Sequence, residues 1–108
     1  MLGEHEIRSR LSSLQLSVGH AAQALSAERN LPGELRDYIT KLDRQSERIT
    51  EILALREPQR IVKLIDDMEV LGARARRVCG SGLPLSGQMK TAVTSMHNEL
   101  VDLKQRLH

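Results

Sequence analysis

Apolar side chains recur along this chain at alternating steps of four and three residues, the spacing that keeps them on one face of an α-helix. Four segments carry this pattern, each at six positions, and residues typical of turns separate the segments. The pattern predicts four amphipathic helices, at about 4–28, 33–56, 58–79 and 87–107.

Turn residues indicate where these helices begin and end. Asn30 is a candidate N-cap for the second helix, and Pro32 is tolerated in a first turn because its missing N–H has no partner there. Pro58 ends the second helix, since the residue before a proline is displaced from helical geometry. The apolar positions of one segment form a stripe along its helix. The stripes of the second and third segments are one residue out of phase, which favours two helices over one long helix. Ser86 is a candidate cap for the fourth helix.

Short connections between consecutive helices predict an all-α fold, an antiparallel up-down-up-down four-helix bundle that forms a single domain over residues 1–108. Folding the four stripes together gives six core layers. One end layer contains Ile7, Leu53, Ile61 and Leu107, and the other contains Leu25, Leu35, Cys79 and Met89. Five apolar residues lie off the stripes, and their scattered positions favour wider core faces over a partner surface: Leu16, Leu55, Val62, Val70 and Val101.

Composition narrows the function classes. Hydrophobic residues make up 40% of the 108 residues and charged residues 28%, which is typical of a globular chain rather than a disordered one. Tyr38 is the only aromatic residue, so binding of single-stranded nucleic acid by base stacking is disfavoured. The net charge is only +2 and acidic residues interleave with basic ones, so a nucleic-acid partner is not expected.

Other features favour a cytoplasmic protein that binds no membrane. No apolar run is long enough to span a bilayer, and residues 1–6 lack the order of a signal peptide. Cys79 is the only cysteine, which excludes an internal disulfide and a thiolate zinc cluster within one chain. Since Cys79 lies on an apolar stripe, we expect a small core residue rather than a nucleophile. We expect no metal and no other cofactor.

Two further groups of side chains could form sites. His20 and His97 fall near the same core layer and could form a metal site. No carboxylate is spaced to complete such a site, so we favour two partly exposed histidines that flank the core. Arg74, Arg76 and Arg77 could contact phosphate. Cations in the last turn of a helix are also favoured by the helix dipole alone, and we prefer this explanation.

The start of the first helix carries a more specific motif. Residues 5–11, His-Glu-Ile-Arg-Ser-Arg-Leu, resemble the phosphoacceptor box of sensor histidine kinases, whose usual form is His-Glu-(Ile/Leu)-Arg-Thr-Pro-Leu. The dimerisation and phosphoacceptor domain of that family is a helical hairpin, and turn residues fall at 30–33 here. The resemblance covers residues 4–56, about half of the chain.

The resemblance implies that His5 accepts a phosphoryl group, that Glu6 assists as a base and that Arg8 matches the arginine of the box. An imidazole suits this chemistry because its second nitrogen can lose a proton as the first attacks. His5 precedes Ile7 by two residues, so it should lie off the buried face. The implied partner is a receiver domain or a kinase-like protein, and a homodimer of hairpins is an alternative to a bundle formed by one chain.

Two departures from the family limit what the resemblance implies. Arg10 stands where the family has proline, and helices three and four occupy the place of an ATP-binding domain. A self-contained kinase is therefore excluded, and the chain is at most a phosphotransfer protein. A helical bundle equally predicts a non-catalytic interaction module such as an adaptor, an anti-regulator or a secretion-type chaperone. Nucleic-acid binding through the arginines at 74–77 is a third, weaker alternative.

Overall fold

The computed structural model describes residues 3–28, 31–80, 82 and 85–108. Within these residues the chain is all-α, as predicted, and contains no strand. Its helices are α1 (Glu4–Leu25), α2 (Gly33–Glu47), α3 (Ile49–Leu55), α4 (Pro58–Cys79) and α5 (Gly87–Leu107).

The segment at 33–56, which the sequence pattern presents as one helix, is two helices in the structure. Arg48 separates α2 from α3, with φ −80° and ψ −10°, and its N–H bonds back to the carbonyls of Gln45 and Ser46. Beyond the turn, Ile52 is buried in α3, whereas Leu53, the predicted stripe residue, is only half-buried. Hydrophobic spacing continues through such a turn and does not reveal it.

The corner between α3 and α4 confirms that they are separate helices. Arg56 ends α3 in the left-handed region, with φ 54° and ψ 35°. Glu57 is extended, and Pro58 begins α4 in the first-turn position that proline tolerates.

At the opposite end of the bundle, where α1 ends and α5 begins, the helix boundaries agree in part with the sequence prediction. Ser86 caps α5, since its Oγ accepts a hydrogen bond from the Met89 N–H at 3.1 Å. The helix α1 ends at Leu25 rather than at 28, and Ala27 and Glu28 bond back three residues in a tightened last turn. The predicted Asn30 cap lies outside the described residues.

The helices pack as an up-down-up-down bundle about 41 Å long. The helix α1 contacts α2 and α5, and α4 contacts the same two helices from the other side. Buried side chains of all five helices meet in one core cluster. The four stripes therefore converge as predicted, and one chain supplies all four walls of the bundle.

The off-stripe apolar residues divide into two groups. Leu16, Leu55 and Val70 are 66%, 47% and 44% exposed, so the expectation that they widen the core is wrong. Each follows a stripe position by two residues, which turns it about 200° away from the core. Val62 and Val101 are half-buried.

Candidate functional site

The predicted phosphoacceptor, His5, is an exposed residue in the first turn of α1. Gly3 precedes the helix without a side-chain cap, and its carbonyl accepts the Ile7 N–H at 3.0 Å. No hydrogen bond or ion pair joins the His5 imidazole to another described residue. The side chain is therefore accessible, and its contacts do not fix its orientation.

Glu6 and Arg8, the other two predicted site residues, are also exposed. The Arg8 guanidinium lies 3.6 Å from the Glu4 carboxylate, an i,i+4 pair on the helix surface. Among the described residues, no hydrogen bond connects His5, Glu6 and Arg8 to one another. The helix places the three side chains within one turn, but they do not form a preassembled catalytic group.

Arg10, which replaces the proline of the family, has a structural partner. Its guanidinium forms an ion pair with Asp102 of α5. Asp102 also accepts a hydrogen bond from Arg106 at 3.1 Å. Arg10 therefore links α1 to α5 from within the box, five residues after the exposed His5.

An open cavity of about 410 Å³ lies at this end of the bundle. All four members of the predicted end layer line it, together with Pro58 and Val62: Ile7, Leu53, Ile61 and Leu107. Each of these four side chains is half-buried, because no further element of the described chain covers them. The sequence pattern identified this layer but did not indicate that it would stay open.

Three arginines and one glutamate surround this apolar floor: Arg8, Arg56, Arg106 and Glu4. Arg8 and Arg106 belong to exposed i,i+4 ion pairs, and such pairs contribute little to stability. Arg56 forms no ion pair with another described residue, and its left-handed backbone places it at the α3–α4 corner. The rim is positively charged, although His5 itself does not line the cavity.

The structure does not bring His20 and His97 together. His20 is exposed and lines a shallow groove between α1 and α5 with Ser17 and Thr91, among others. The side chain of His97 is only 12% exposed and faces α4, with Nε2 3.8 Å from the Glu69 carboxylate. Within the described residues, no group of three histidine, cysteine, aspartate or glutamate side chains is placed to hold a metal ion.

His97 and Arg76 form a contact that the sequence did not predict. A guanidinium nitrogen of Arg76 lies 3.3 Å from Nδ1 of His97, and it also donates to the Asn98 carboxamide at 3.2 Å. Because a guanidinium only donates, Nδ1 accepts and the neutral ring carries its proton on Nε2. Burial lowers the pKa of His97, and the positive charge of Arg76 adds to this, whereas Glu69 opposes it.

The arginine cluster late in α4 is divided by these contacts. All three arginines are exposed, but only Arg76 contacts α5, through His97 and Asn98. An internal partner for the central arginine weakens the interpretation that the three arginines bind one phosphate.

Cys79 is buried, with 6% of its surface exposed, at the end of α4. Desolvation raises the pKa of its thiol, so the thiolate that a nucleophile needs is disfavoured. The residue is part of the core cluster, as its position on the stripe predicts.

Comparison with known proteins adds no relative. No protein-family model, curated protein or solved structure matches the chain. In the described part of the chain, no helix has the length and apolar character to cross a membrane.

Proposed function

We propose that this chain is a protein-interaction module whose partner inserts an apolar segment into the cavity at the open end of the bundle. The observation that carries the proposal is an end layer of four apolar side chains that the described chain leaves uncovered. Burying such side chains is favourable by about 25 cal/mol per Å² of apolar surface, which gives a partner a reason to bind here.

The charge of the rim indicates the chemistry of the partner. Three arginines and one glutamate border the floor, so carboxylates beside the apolar anchor would be attracted. A second copy of this chain is a poorer occupant. In a twofold dimer the same rim would face itself, and like charges would meet.

Peptide selection tests the proposal and requires no identified partner. Peptides from a displayed random library are selected on the intact chain, and their affinities are measured by fluorescence anisotropy. We expect selected sequences with apolar residues flanked by aspartate or glutamate. Ile61→Glu and Arg56→Glu should each weaken their binding about tenfold or more.

The exposed residue Leu16 provides the matched control. Leu16→Glu makes the same apolar-to-glutamate change as Ile61→Glu, but far from the cavity, and should leave affinity unchanged. Circular dichroism would establish that each variant is folded. Selected peptides that bind Ile61→Glu and Arg56→Glu as tightly as the wild type would contradict the proposal.

A second candidate function is phosphoryl transfer at His5, favoured by the exposure of its imidazole beside Glu6 in the first turn of α1. A ring nitrogen of His5 would attack the phosphorus of an aspartyl phosphate on a receiver domain. The new P–N bond would form as the P–O bond to the aspartate breaks, and the other ring nitrogen would release its proton.

His20 is the natural control for this second candidate, because it is an exposed histidine on the same helix. The chain is incubated with a panel of phosphorylated receiver domains, and acid-labile phosphate is measured. We expect His5→Ala to abolish the label and His20→Ala to retain it. A wild-type chain that gains no acid-labile phosphate from any receiver would exclude this function.

A further inference from the structure

A continuous groove runs between α2 and α3 on one side and α4 on the other. It consists of a cavity of about 500 Å³ and a neighbouring one of about 220 Å³. Arg48 and Asp67 line both, so the two cavities adjoin. Neither shares a lining residue with the cavity at the end of the bundle.

The groove concentrates positive charge that is dispersed in the sequence. Among the described residues, five cations line it, and Asp67 is its only carboxylate. The lining therefore carries a net charge of +4, compared with +2 for the whole chain. The five cations come from both walls: Lys41, Arg44 and Arg48 before the corner, and Arg60 and Lys63 after it.

Most of these cations lack an internal partner. Arg60 is paired with Glu57 at 2.6 Å, an i,i+3 contact at the start of α4. Within the described residues, no ion pair involves Lys41, Arg44, Arg48 or Lys63. Several like charges placed together without counter-charges repel one another, so a negatively charged occupant would relieve this repulsion.

The floor of the groove is apolar and has an unsatisfied polar atom. Val70, which is 44% exposed, and Leu71 lie in the larger cavity, and Ile52 and Leu64 lie in the smaller one. The side-chain oxygen of Gln45 is buried at the larger cavity and accepts no hydrogen bond from a described residue. A buried acceptor without a donor is unfavourable, but this oxygen is closed off from solvent, so it is not counted among the groups that an occupant would contact.

Cationic walls above an apolar floor fit an acidic amphipathic helix better than a nucleic acid. Phosphates could contact the cations, but they would leave Val70 and Leu71 uncovered. Base stacking is also disfavoured, because Tyr38, the only aromatic residue, does not line the groove. A helix laid in a groove buries apolar side chains at i, i+3, i+4 and i+7 while its flanks face the walls.

We propose that the groove between α2, α3 and α4 binds an acidic amphipathic helix of a partner protein. Leucine-like side chains of that helix cover Val70 and Leu71, and its carboxylates meet Arg44 and Arg48. The groove shares no lining residue with the end cavity and therefore gives the module a second binding surface.

A set of synthetic peptides tests the inference on the intact chain. The probe is a labelled helical peptide with leucine at i, i+3, i+4 and i+7 and glutamate elsewhere. Comparison peptides replace every glutamate with lysine or every leucine with alanine, and a DNA duplex and a single-stranded RNA are added. We expect the glutamate–leucine peptide to bind tightest, with an affinity that falls as salt increases.

Charge reversal within the groove should weaken this binding about tenfold or more, as measured by fluorescence anisotropy. The variants are Arg44→Glu and Arg48→Glu, and Val70→Asp tests the floor. Arg36→Glu is the matched control, because Arg36 is an exposed cation of α2 that does not line the groove. Ile61→Glu, at the end cavity, should leave the peptide affinity unchanged, which separates this inference from the proposed function.

Three results would overturn the inference. One is a glutamate–leucine peptide that fails to bind, and another is a nucleic acid or the lysine peptide that binds more tightly. The third is binding that Arg44→Glu and Arg48→Glu reduce no more than Arg36→Glu does. The exposure of Arg44, Arg48 and Val70 makes folding of these variants expected, and circular dichroism checks it.

Discussion

His97 is the residue whose environment differs most from what its sequence position suggests. The sequence pattern predicts a partly exposed flanking histidine, yet only 12% of its side chain remains accessible. Its pKa is lowered mainly by burial and also by Arg76, with Glu69 acting in the opposite direction. The folded chain therefore binds a proton at His97 less readily than the unfolded chain does.

This difference predicts a pH dependence of stability. The ordinary pKa of the side chain is 6.5, so the contribution of His97 to the free energy of unfolding is fully present above that pH. It declines as the pH falls through 6.5 towards the lowered folded-state pKa, because the unfolded state takes up the proton first. Urea unfolding of the wild type between about pH 8 and pH 5 should show this loss.

His97→Gln provides the comparison, because it removes the titrating ring and keeps a polar side chain. Over the same pH range the variant should lose less stability than the wild type. Equal losses in the two proteins would show that groups other than His97 account for the pH dependence.

At the scale of the helix, α4 and α5 approach closely where a glycine faces the neighbouring helix. A Cβ at Gly72 would lie 2.9 Å from Leu100 Cδ1 and 3.3 Å from the His97 ring. Gly19 in α1, in contrast, has no atom within 4 Å of the corresponding position. The two glycines are both helical, but only Gly72 lies in close contact with side chains of a neighbouring helix.

The same substitution at these glycines should therefore have opposite effects. Gly19→Ala should raise the free energy of unfolding by about 1 kcal/mol, because alanine loses less backbone entropy in a helix. Gly72→Ala should lower it by about 1 kcal/mol, since overpacking a close contact costs about 1–3 kcal/mol and exceeds the helix gain. Denaturant titration measures both, and a stabilised Gly72→Ala would contradict the close packing of α4 on α5.

At the scale of the whole molecule, one chain completes the four-helix bundle. Inner-layer residues such as Leu14, Leu42 and Met96 are fully buried among side chains of the other helices. The fold therefore needs no second hairpin to cover its apolar stripes. This arrangement differs from the dimer of hairpins that the kinase resemblance left open.

Leu42 and Leu16 test whether stability depends on this core. Leu42→Asp places an unpaired carboxylate in the buried core and should lower the free energy of unfolding by about 4 kcal/mol or more. Leu16→Asp makes the same change at a 66% exposed position and should alter it by less than about 0.5 kcal/mol. Thermal melts followed by circular dichroism distinguish the two, and an unshifted melt for Leu42→Asp would contradict the core assignment.

The sequence predicts the helical class, the order of the helices and most of the core. The reason is that the spacing of apolar side chains is a local property, visible in the sequence itself. It also predicts the Ser86 cap and the corner before Pro58, which depend on neighbouring residues. It does not predict the turn at Arg48, since no proline or glycine marks it. The roles of His5, Glu6 and Arg8 stay predictions.

Local sequence was therefore sufficient to establish most of the residues that face the core and which end of α1 carries the exposed His5. Packing between helices was needed to establish that the end layer stays open, that His97 is half-buried beside Arg76, and that cations from α2 and α4 line one groove. The reason is that burial and charge clustering depend on distances between residues of different helices. The hydrophobic pattern sets the buried face of each helix but not those distances.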